Sequence, residues 1–433
     1  MTVKKSTVKN KSSRESAARN RSSRESASEK KAARHSGSVS RKKSASKEPP
    51  HPQAYPLDVY EKMIEHFEKE NRMRRIPEVT AEDADECIDL LSNDYLGLGA
   101  EAHLYEAEFR RRFPDATFTS SASRLLSRKN RYHNLLEAKL EELYGKPALL
   151  FNSGYHANLG VIQALAVPGT MFIADKLVHA SAIDGLRLSE ADFKRFPHND
   201  ILKAERILKD NYDDYNRFVI IVEGIYSMDG DIVPLHRLVE LKRKYPKVIL
   251  YVDEAHSFGV RGPRGLGLAE ETGLIPEVDI ILGTLGKAAA SAGAFVVTSP
   301  VVKSYLINCA RSFIFSTALS PAQAAWSILM LEKIVEASDR RKNLQKLSKE
   351  LRKQIEDRVN IETPSSSQII PIILGDAGEA LNMADFLHEN GFDTLAIRKP
   401  TVAAGAERIR LSLNARLSKN DITRLVSVIG NYR

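Results

Sequence analysis

The sequence predicts an α/β fold: a seven-stranded, mainly parallel sheet covered by helices, with a smaller C-terminal α+β domain. Three observations lead there. Between residues 148 and 299 short apolar runs alternate with helical patterns, and strands alternating with helices build a parallel sheet buried on both faces. After residue 321 the pattern changes to long helical stretches and a few short strands. No apolar run approaches the ~20 residues of a membrane span.

Taken in order, YEKMIEHFEKENRMRRI (60–76) places apolar residues at 60, 63, 64 and 67, which is helical spacing. CIDLLSNDYLGLG (87–99) starts as a strand and breaks into a turn-rich loop. RYHNLLEAKLEELYGK (131–146) sets Leu135, Leu136, Leu140 and Leu143 on one helix face, with Gly145 as its C-terminal cap. The seven strand runs are ALLFNSG (148–154), MFIAD (171–175), DFKRF (192–196), FVIIVEG (218–224), VILYVDEAH (248–256), DIILGT (279–284) and GAFVVTS (293–299). ILKAERILKDNY (201–212) and LHRLVELKRKY (235–245) are helices between them. Residues 322–358 read as one long helix or a helix pair. IIPIIL (369–374), a helix at 379–390, IRLSL (409–413) and a helix at 419–430 make the smaller domain. The expected division is a tail (1–53), an N-terminal segment (54–100), a large domain (101–320) and a small domain (321–433).

The net charge of +8 belongs to the tail. Residues 1–50 hold 15 Lys+Arg against 4 Glu, a net +11, and the rest of the chain holds 49 against 52 Asp+Glu, a net −3. The tail has 13 serines, repeats SSRESA at 12–17 and 22–27, and lacks Leu, Ile, Phe, Tyr and Trp. Such a segment cannot bury enough apolar surface to offset its ordering entropy. A solvated tail, a transit peptide and an arm for nucleic acid or an acidic partner all match its composition, although a transit peptide needs an amphipathic face. The near-neutral body gives no reason to expect a nucleic-acid partner. Cys87 and Cys309 lie far apart without metal-ligand spacing, so a reducing, cytoplasmic setting and no metal are expected.

Ligands of open α/β sheets gather at the carboxyl ends of the strands. The first run ends in NSGYHANLG (152–160), where Gly154 permits close backbone approach and the following helix offers free N–H groups to an anion; a plain strand–turn–helix connection has the same form. Asp253 and His256 close the fifth run as DEAH (253–256). A helicase reading fails because no GK[ST] phosphate loop precedes it, and a metal reading lacks a third ligand. A structural ion pair remains open. Thr284 ends the next run, and Lys287 follows in GTLGKAAAS (283–291). A lysine among small residues is either a surface lysine or a desolvated amine with a lowered pKa, able to attack a carbonyl. A phosphate site, an aspartate, a histidine and an amine at the ends of one sheet are together what pyridoxal 5′-phosphate requires.

The ordered motifs SNDYLGL (92–98), SRLLSRKNRYHNLLEAKL (123–140), LLFNSGYHAN (149–158), DKLVHASAIDG (175–185), VEGIYSMDGDIVPL (222–235), YVDEAHSFGVRGPRGLGLAE (251–270), GTLGK (283–287), FSTALSP (315–321) and ERIRLSLNA (407–415) resemble those of the α-oxoamine synthases, a branch of the fold-type I pyridoxal-phosphate transferases. The resemblance covers about residues 58–430. It implies an acyltransferase that joins an amino acid to an acyl thioester, carried by coenzyme A or a carrier protein, with loss of carbon dioxide. It implies that Lys287 bonds the cofactor aldehyde, Asp253 faces the pyridine nitrogen, His179 stacks on the ring, and His256 and Ser227 sit near the phenolic oxygen. Gly154, Tyr155 and Thr284 would hold the cofactor. Ser316 and Thr317 would reach its phosphate from the partner subunit of a homodimer. Asn93 and Arg410 would meet the amino acid, Arg410 at its carboxylate. AIRKPTVAAG (396–405) resembles the alanine-using, biotin-pathway branch, where Arg398 and Thr401 would contact substrate; branches using glycine with acetyl-CoA or serine with a long acyl chain are the alternatives. The sequence departs from the pattern at Arg128, Lys399, Ala403 and TSSAS (119–123), all near the acyl-chain entrance that the resemblance implies.

Overall fold

The structure, a computed structural model, describes residues 57–76, 87–128 and 130–432. The basic tail 1–53 lies outside the described residues. Two compact units divide the chain, residues 1–62 and 63–433, and the site described below belongs to the second. Helix α1 (Asp58–Lys69) ends earlier than the 60–76 spacing suggests, because Asn71 adopts φ 53°, a left-handed conformation that asparagine tolerates locally. After β1 (Ile88–Asp89) the 92–99 loop leads into α2 (Glu106–Arg112) and α3 (Arg131–Tyr144). Helix α3 buries Leu136, Leu140 and Leu143, whereas Leu135, expected on the same face, is exposed. It ends at Gly145, φ 69°, whose N–H bonds the Glu141 carbonyl. This is the left-handed cap that glycine forms without Cβ strain.

All seven predicted strands form: β2 (Ala148–Phe151), β3 (Thr170–Asp175), β4 (Asp192–Phe196), β5 (Arg217–Glu223), β6 (Val248–Asp253), β7 (Ile280–Thr284) and β8 (Ala294–Thr298). Their order is β2-β8-β7-β6-β5-β3-β4. Strand β8 runs antiparallel to both neighbours and the other pairs are parallel. Helices α4 (Gly154–Leu165), α5 (Ala180–Leu188), α6 (Ile201–Asp210), α7 (Leu235–Lys244), α8 (Leu268–Glu271), α9 (Pro300–Cys309) and α10 (Arg311–Ile314) accompany the sheet.

The central strands read as unbroken apolar runs because both faces are covered. In β5, Phe218, Ile220 and Val222 enter one buried cluster and Val219 and Ile221 the other, the alternation inherent in a strand. Glu223, Asp253 and Thr284 continue the face on which α4 packs. Strand β4 is an edge strand with only Phe196 buried.

The 322–358 stretch is a helix pair, α11 (Pro321–Glu336) and α12 (Ser338–Val359), broken at Ala337. A three-stranded antiparallel sheet follows, ordered β11-β12-β9, from β9 (Ile369–Ile373), β11 (Ala396–Ile397) and β12 (Arg408–Ser412). Helix α13 (Ala377–Glu389) packs on it, β10 (Phe392–Asp393) pairs with β1, and α14 (Lys419–Tyr432) packs on α12. Among the described residues no helix is long and apolar enough to cross a membrane.

Candidate active site

Strands β5, β6 and β7 end side by side, with Glu223 opposite Asp253 and Asp253 opposite Leu282. Glu223, Asp253 and Thr284 line one cleft with Gly154, Tyr155 and Asn158 of α4, His179 and Ser181 at the start of α5, and His256 and Lys287. The crowding of polar groups follows from topology: parallel strands present their carboxyl ends along one rim, and α4 begins at that rim.

Lys287 stands in a braced turn after β7. Leu285 N–H bonds the Gly293 carbonyl, Ala290 N–H the Lys287 carbonyl and Ser291 N–H the Leu285 carbonyl, each at 2.9 Å. Ala290 adopts φ 45°, a left-handed conformation costing about 1–2 kcal/mol in a residue with a Cβ. The Trp326 indole N–H holds its carbonyl at 2.9 Å. The small residues beside Lys287 also serve packing, since a Cβ on Gly259 would come 2.5 Å from that of Ala288.

A chain of hydrogen bonds runs from the amine to a guanidinium. Lys287 Nζ lies 2.8 Å from His256 Nε2, and His256 Nδ1 lies 2.6 Å from the Tyr95 hydroxyl. Tyr95 donates to Asn93 Oδ1 at 2.9 Å, which also accepts from Arg410 Nη2 at 3.0 Å. A phenol has one proton. With that proton on Asn93, His256 donates from Nδ1 and accepts from Lys287 at Nε2. Burial, with the Lys287 and Arg410 charges, pushes His256 well below the usual histidine range, so it stays neutral. Burial also pushes Lys287 down to about 8, against the opposing pull of the Asp253 carboxylate. The amine is therefore partly unprotonated near neutral pH.

The carboxylates are held differently. Asp253 Oδ2 accepts from Asn158 Nδ2 at 2.9 Å and Oδ1 from the Ala255 N–H at 3.0 Å. Glu223 is 3 % exposed, and its Oε1 finds no hydrogen-bond partner among the described residues. Burial, then the neighbouring Asp253, pushes Glu223 well above the carboxylate range. It is a neutral acid, because two adjacent carboxyls in a dry cleft do not both ionise. His179 caps α5, its Nδ1 accepting from the Ser181 N–H, and burial lowers its pKa.

These residues fit pyridoxal phosphate. The cleft encloses about 160 Å³, and a cavity of ~150 Å³ takes one six-membered ring. An amine, a carboxylate and a flat imidazole line it. A Cβ on Gly154 would meet only Leu282, at 3.9 Å, so the missing side chain leaves open space where α4 presents its N-terminus. Anions settle at such a terminus.

Lys287, Asp253, His256, His179, Thr284, Gly154 and Tyr155 thus come together in one cleft, while Asn93 and Arg410 join it through Tyr95. Ser227 takes part by its backbone, its N–H facing Glu223 and its carbonyl accepting Arg410 Nε at 2.7 Å. Arg410 has no carboxylate partner among the described residues. Arg398 and Thr401 do not line the cleft. Arg398 donates to the carbonyls of Asn71 and Met73, and Thr401 accepts from Arg74 at 2.9 Å. Ser316 lines a separate small cleft with Arg124 and Asn152, and the Thr317 carbonyl accepts from Asn152 at 2.6 Å. The sequence reading missed Glu223, Asn158, Ser181 and Tyr95. A signal existed for Glu223, which ends its apolar run as Asp253 ends the next.

The aminotransferase class I and II family model matches residues 85–429. A Glaesserella parasuis protein provisionally named 8-amino-7-oxononanoate synthase is 44 % identical over 343 residues, 79 % of this chain and 90 % of that protein. Serine palmitoyltransferase of Sphingomonas wittichii superposes with a TM-score of 0.80 at 29 % identity, over 88 % of this chain and 98 % of that one. The 8-amino-7-oxononanoate synthase of Francisella tularensis superposes with a TM-score of 0.69 at 30 % identity, over 80 % and 98 %.

Proposed function

Because the chain belongs to the class I and II aminotransferase family, and within it to the pyridoxal-phosphate-dependent α-oxoamine synthases, we propose that it condenses L-alanine with a pimeloyl thioester, releasing carbon dioxide and the thiol, to give 8-amino-7-oxononanoate for biotin synthesis. The observation that carries the reading is Lys287: a half-buried amine, pushed down to about 8, across a ring-sized cleft from Asp253. The curated relatives favour alanine within the family.

Bound in this cleft, pyridoxal phosphate supplies an aldehyde for an amine and a ring that withdraws electrons from the adjoining carbon. The protein supplies the rest. Lys287, once free, takes the proton from the alanine Cα, a task suited to a base whose pKa lies near the working pH. His256 receives an N–H of Lys287 and so fixes the direction of the amine's lone pair. Asp253 would meet the ring nitrogen and His179 the ring face. Gly154, Tyr155 and Thr284 would hold the cofactor at the rim, with Ser227 at its polar edge. Arg410, steadied by Asn93 and the Ser227 carbonyl, binds the alanine carboxylate; a buried guanidinium without an anion is costly, and the substrate supplies one. Arg398 and Thr401, tied to residues 71–74, guide the acyl chain, carried by coenzyme A or a carrier protein.

The proposed assembly is a cytoplasmic homodimer. Ser316 and Thr317 stand outside their own chain's cleft, and nearby Phe118, Leu126 and Phe315 are 88, 81 and 72 % exposed. Apolar side chains left open in this way suit a partner surface. In the dimer Ser316 and Thr317 reach the partner's cofactor phosphate.

A serine-using reading draws on the greater overlap with serine palmitoyltransferase. Purified holoenzyme given alanine with pimeloyl-CoA, glycine with acetyl-CoA, or serine with palmitoyl-CoA decides between them. Thiol release and product mass should give the alanine pair the highest kcat/KM; a higher value for another pair overturns the substrate assignment.

A further inference from the structure

Asn158, in the second turn of α4, is 1 % exposed. Its amide faces three groups. Oδ1 accepts from the Tyr251 hydroxyl at 2.7 Å, and Nδ2 donates to Asp253 Oδ2 at 2.9 Å and to Ser181 Oγ at 3.0 Å. Both amide protons and one lone pair are used. The carboxylate fixes the orientation: turned over, the amide would set Oδ1 against Asp253 Oδ2, two acceptors in contact. With Ser181 Oγ accepting from Asn158, the Ser181 proton goes to His179 Nδ1 at 2.7 Å. The Ser181 backbone N–H donates to the same nitrogen at 3.2 Å. His179 Nδ1 is thus an acceptor twice over, and the neutral ring carries its proton on Nε2.

We propose that Asn158 is a positioning residue that at once orients the Asp253 carboxylate and holds the Ser181 hydroxyl turned toward His179 Nδ1, coupling two walls of the cleft through one buried amide. The proposal rests on the reading of this cleft as a pyridoxal-phosphate site. Among the described residues the other charged or titratable groups near Asp253 are Glu223 from β5, Tyr251 and Glu254 from its own strand end, Lys287 from the turn after β7 and His179 before α5. Asn158 is the donor that α4 contributes. Tyr251, whose hydroxyl ends the chain, gives Asn158 Oδ1 its donor and so holds the amide in place over Asp253.

Four variants separate the branches. Asn158→Leu removes the amide at similar volume, Asn158→Gln returns an amide on a longer arm, Ser181→Ala cuts only the branch to His179, and Tyr251→Phe removes the donor that anchors Asn158 Oδ1. Three quantities are read: pyridoxal-phosphate affinity of the stripped protein, the pH midpoint of the visible cofactor band in the resting holoenzyme, and the His179 nitrogen signals in 15N-histidine spectra, assigned with His179→Gln. Asn158→Leu should weaken cofactor binding about tenfold or more, as loss of an outer hydrogen-bond partner does at metal sites, move the midpoint and shift the His179 nitrogen signals. Asn158→Gln should recover part of each. Ser181→Ala should change the nitrogen signals while keeping the affinity, and Tyr251→Phe should lower the affinity by a smaller factor than Asn158→Leu. Wild-type values throughout for Asn158→Leu overturn the proposal. If that variant does not fold, unchanged nitrogen signals in Ser181→Ala or unchanged affinity in Tyr251→Phe overturn it instead. A wild-type protein that takes up no pyridoxal phosphate and shows no visible band overturns the cofactor reading itself, a different result from a normal wild type with indifferent variants.

Discussion

In the cofactor-free protein, Lys287→Met exchanges a half-buried amine for an apolar chain of similar length. Burial moves the amine from 10.5 to about 8, so the folded chain holds this proton less tightly than the unfolded chain. At about 1.4 kcal/mol per pKa unit, the charged form costs the fold about 3 kcal/mol below pH 8. Between pH 8 and 10.5 the unfolded state binds more protons, so wild-type stability rises through that window. The variant gains the 3 kcal/mol but loses the hydrogen bond to His256, about 1 kcal/mol. It should therefore be more stable than wild type by about 2 kcal/mol at pH 7. The gap should narrow by pH 9, and by pH 10.5 wild type should lead slightly. Urea unfolding of both stripped proteins at the three pH values reads this directly. A gap of equal size at pH 7 and 10.5, or a variant less stable at pH 7, would refute the argument that charge burial depresses this amine.

Other outcomes follow from neighbouring geometry. Burial lowers the pKa of His198, but hydrogen bonds to Asp175 at 3.0 Å and Asp231 at 2.8 Å outweigh it and raise the group to about 10; that stabilisation is complete below pH 6.5 and lost as pH rises through 10. In urea unfolding His198→Gln should cost about 3–5 kcal/mol at pH 6 and progressively less above pH 9. Glu223→Gln matches the neutral acid already present and should keep cofactor affinity, measured by titration of the stripped protein, whereas Asp253→Asn should lower it tenfold or more, about 1.4 kcal/mol. A chain with Ser316→Ala and Thr317→Ala and a chain with Lys287→Ala should each have low turnover alone, yet recover about a quarter of wild-type turnover when refolded together, because half the dimers then carry one intact site.

The central strands were legible because a sheet covered on both faces demands uninterrupted apolar runs; the edge strand β4, DFKRF, with only Phe196 buried, showed itself by its place between helices. The antiparallel insertion of β8 between β2 and β7 was not, since nothing in GAFVVTS encodes which neighbours it takes. Ala337 breaks the helix pair without a proline or glycine to mark the place, and Asn71 ends α1 inside an otherwise helical composition. At the site, residues at strand ends were readable by position: Asp253, Thr284 and, just beyond, Lys287. Those on helices or loops, such as Asn158 and Tyr95, were hidden among ordinary helix and loop polar residues. Their significance is a matter of distance: Tyr95 meets His256 across 161 positions of sequence and Asn158 meets Asp253 across 95. The position of Leu135 was misjudged because a helix stripe fixes a face only to within a residue.

The order of the parts along the chain also sets an order in time. Every strand of the large sheet lies before residue 299, and every side chain lining the Lys287 cleft before residue 288. Arg410 arrives with the penultimate element. Synthesis proceeds from the N-terminus and folding follows it. A nascent chain emerging from the ribosome therefore carries every residue that lines this cleft more than a hundred residues before Arg410 is made. The turn that carries Lys287 is finished between these two points, when Trp326 arrives to hold the Ala290 carbonyl.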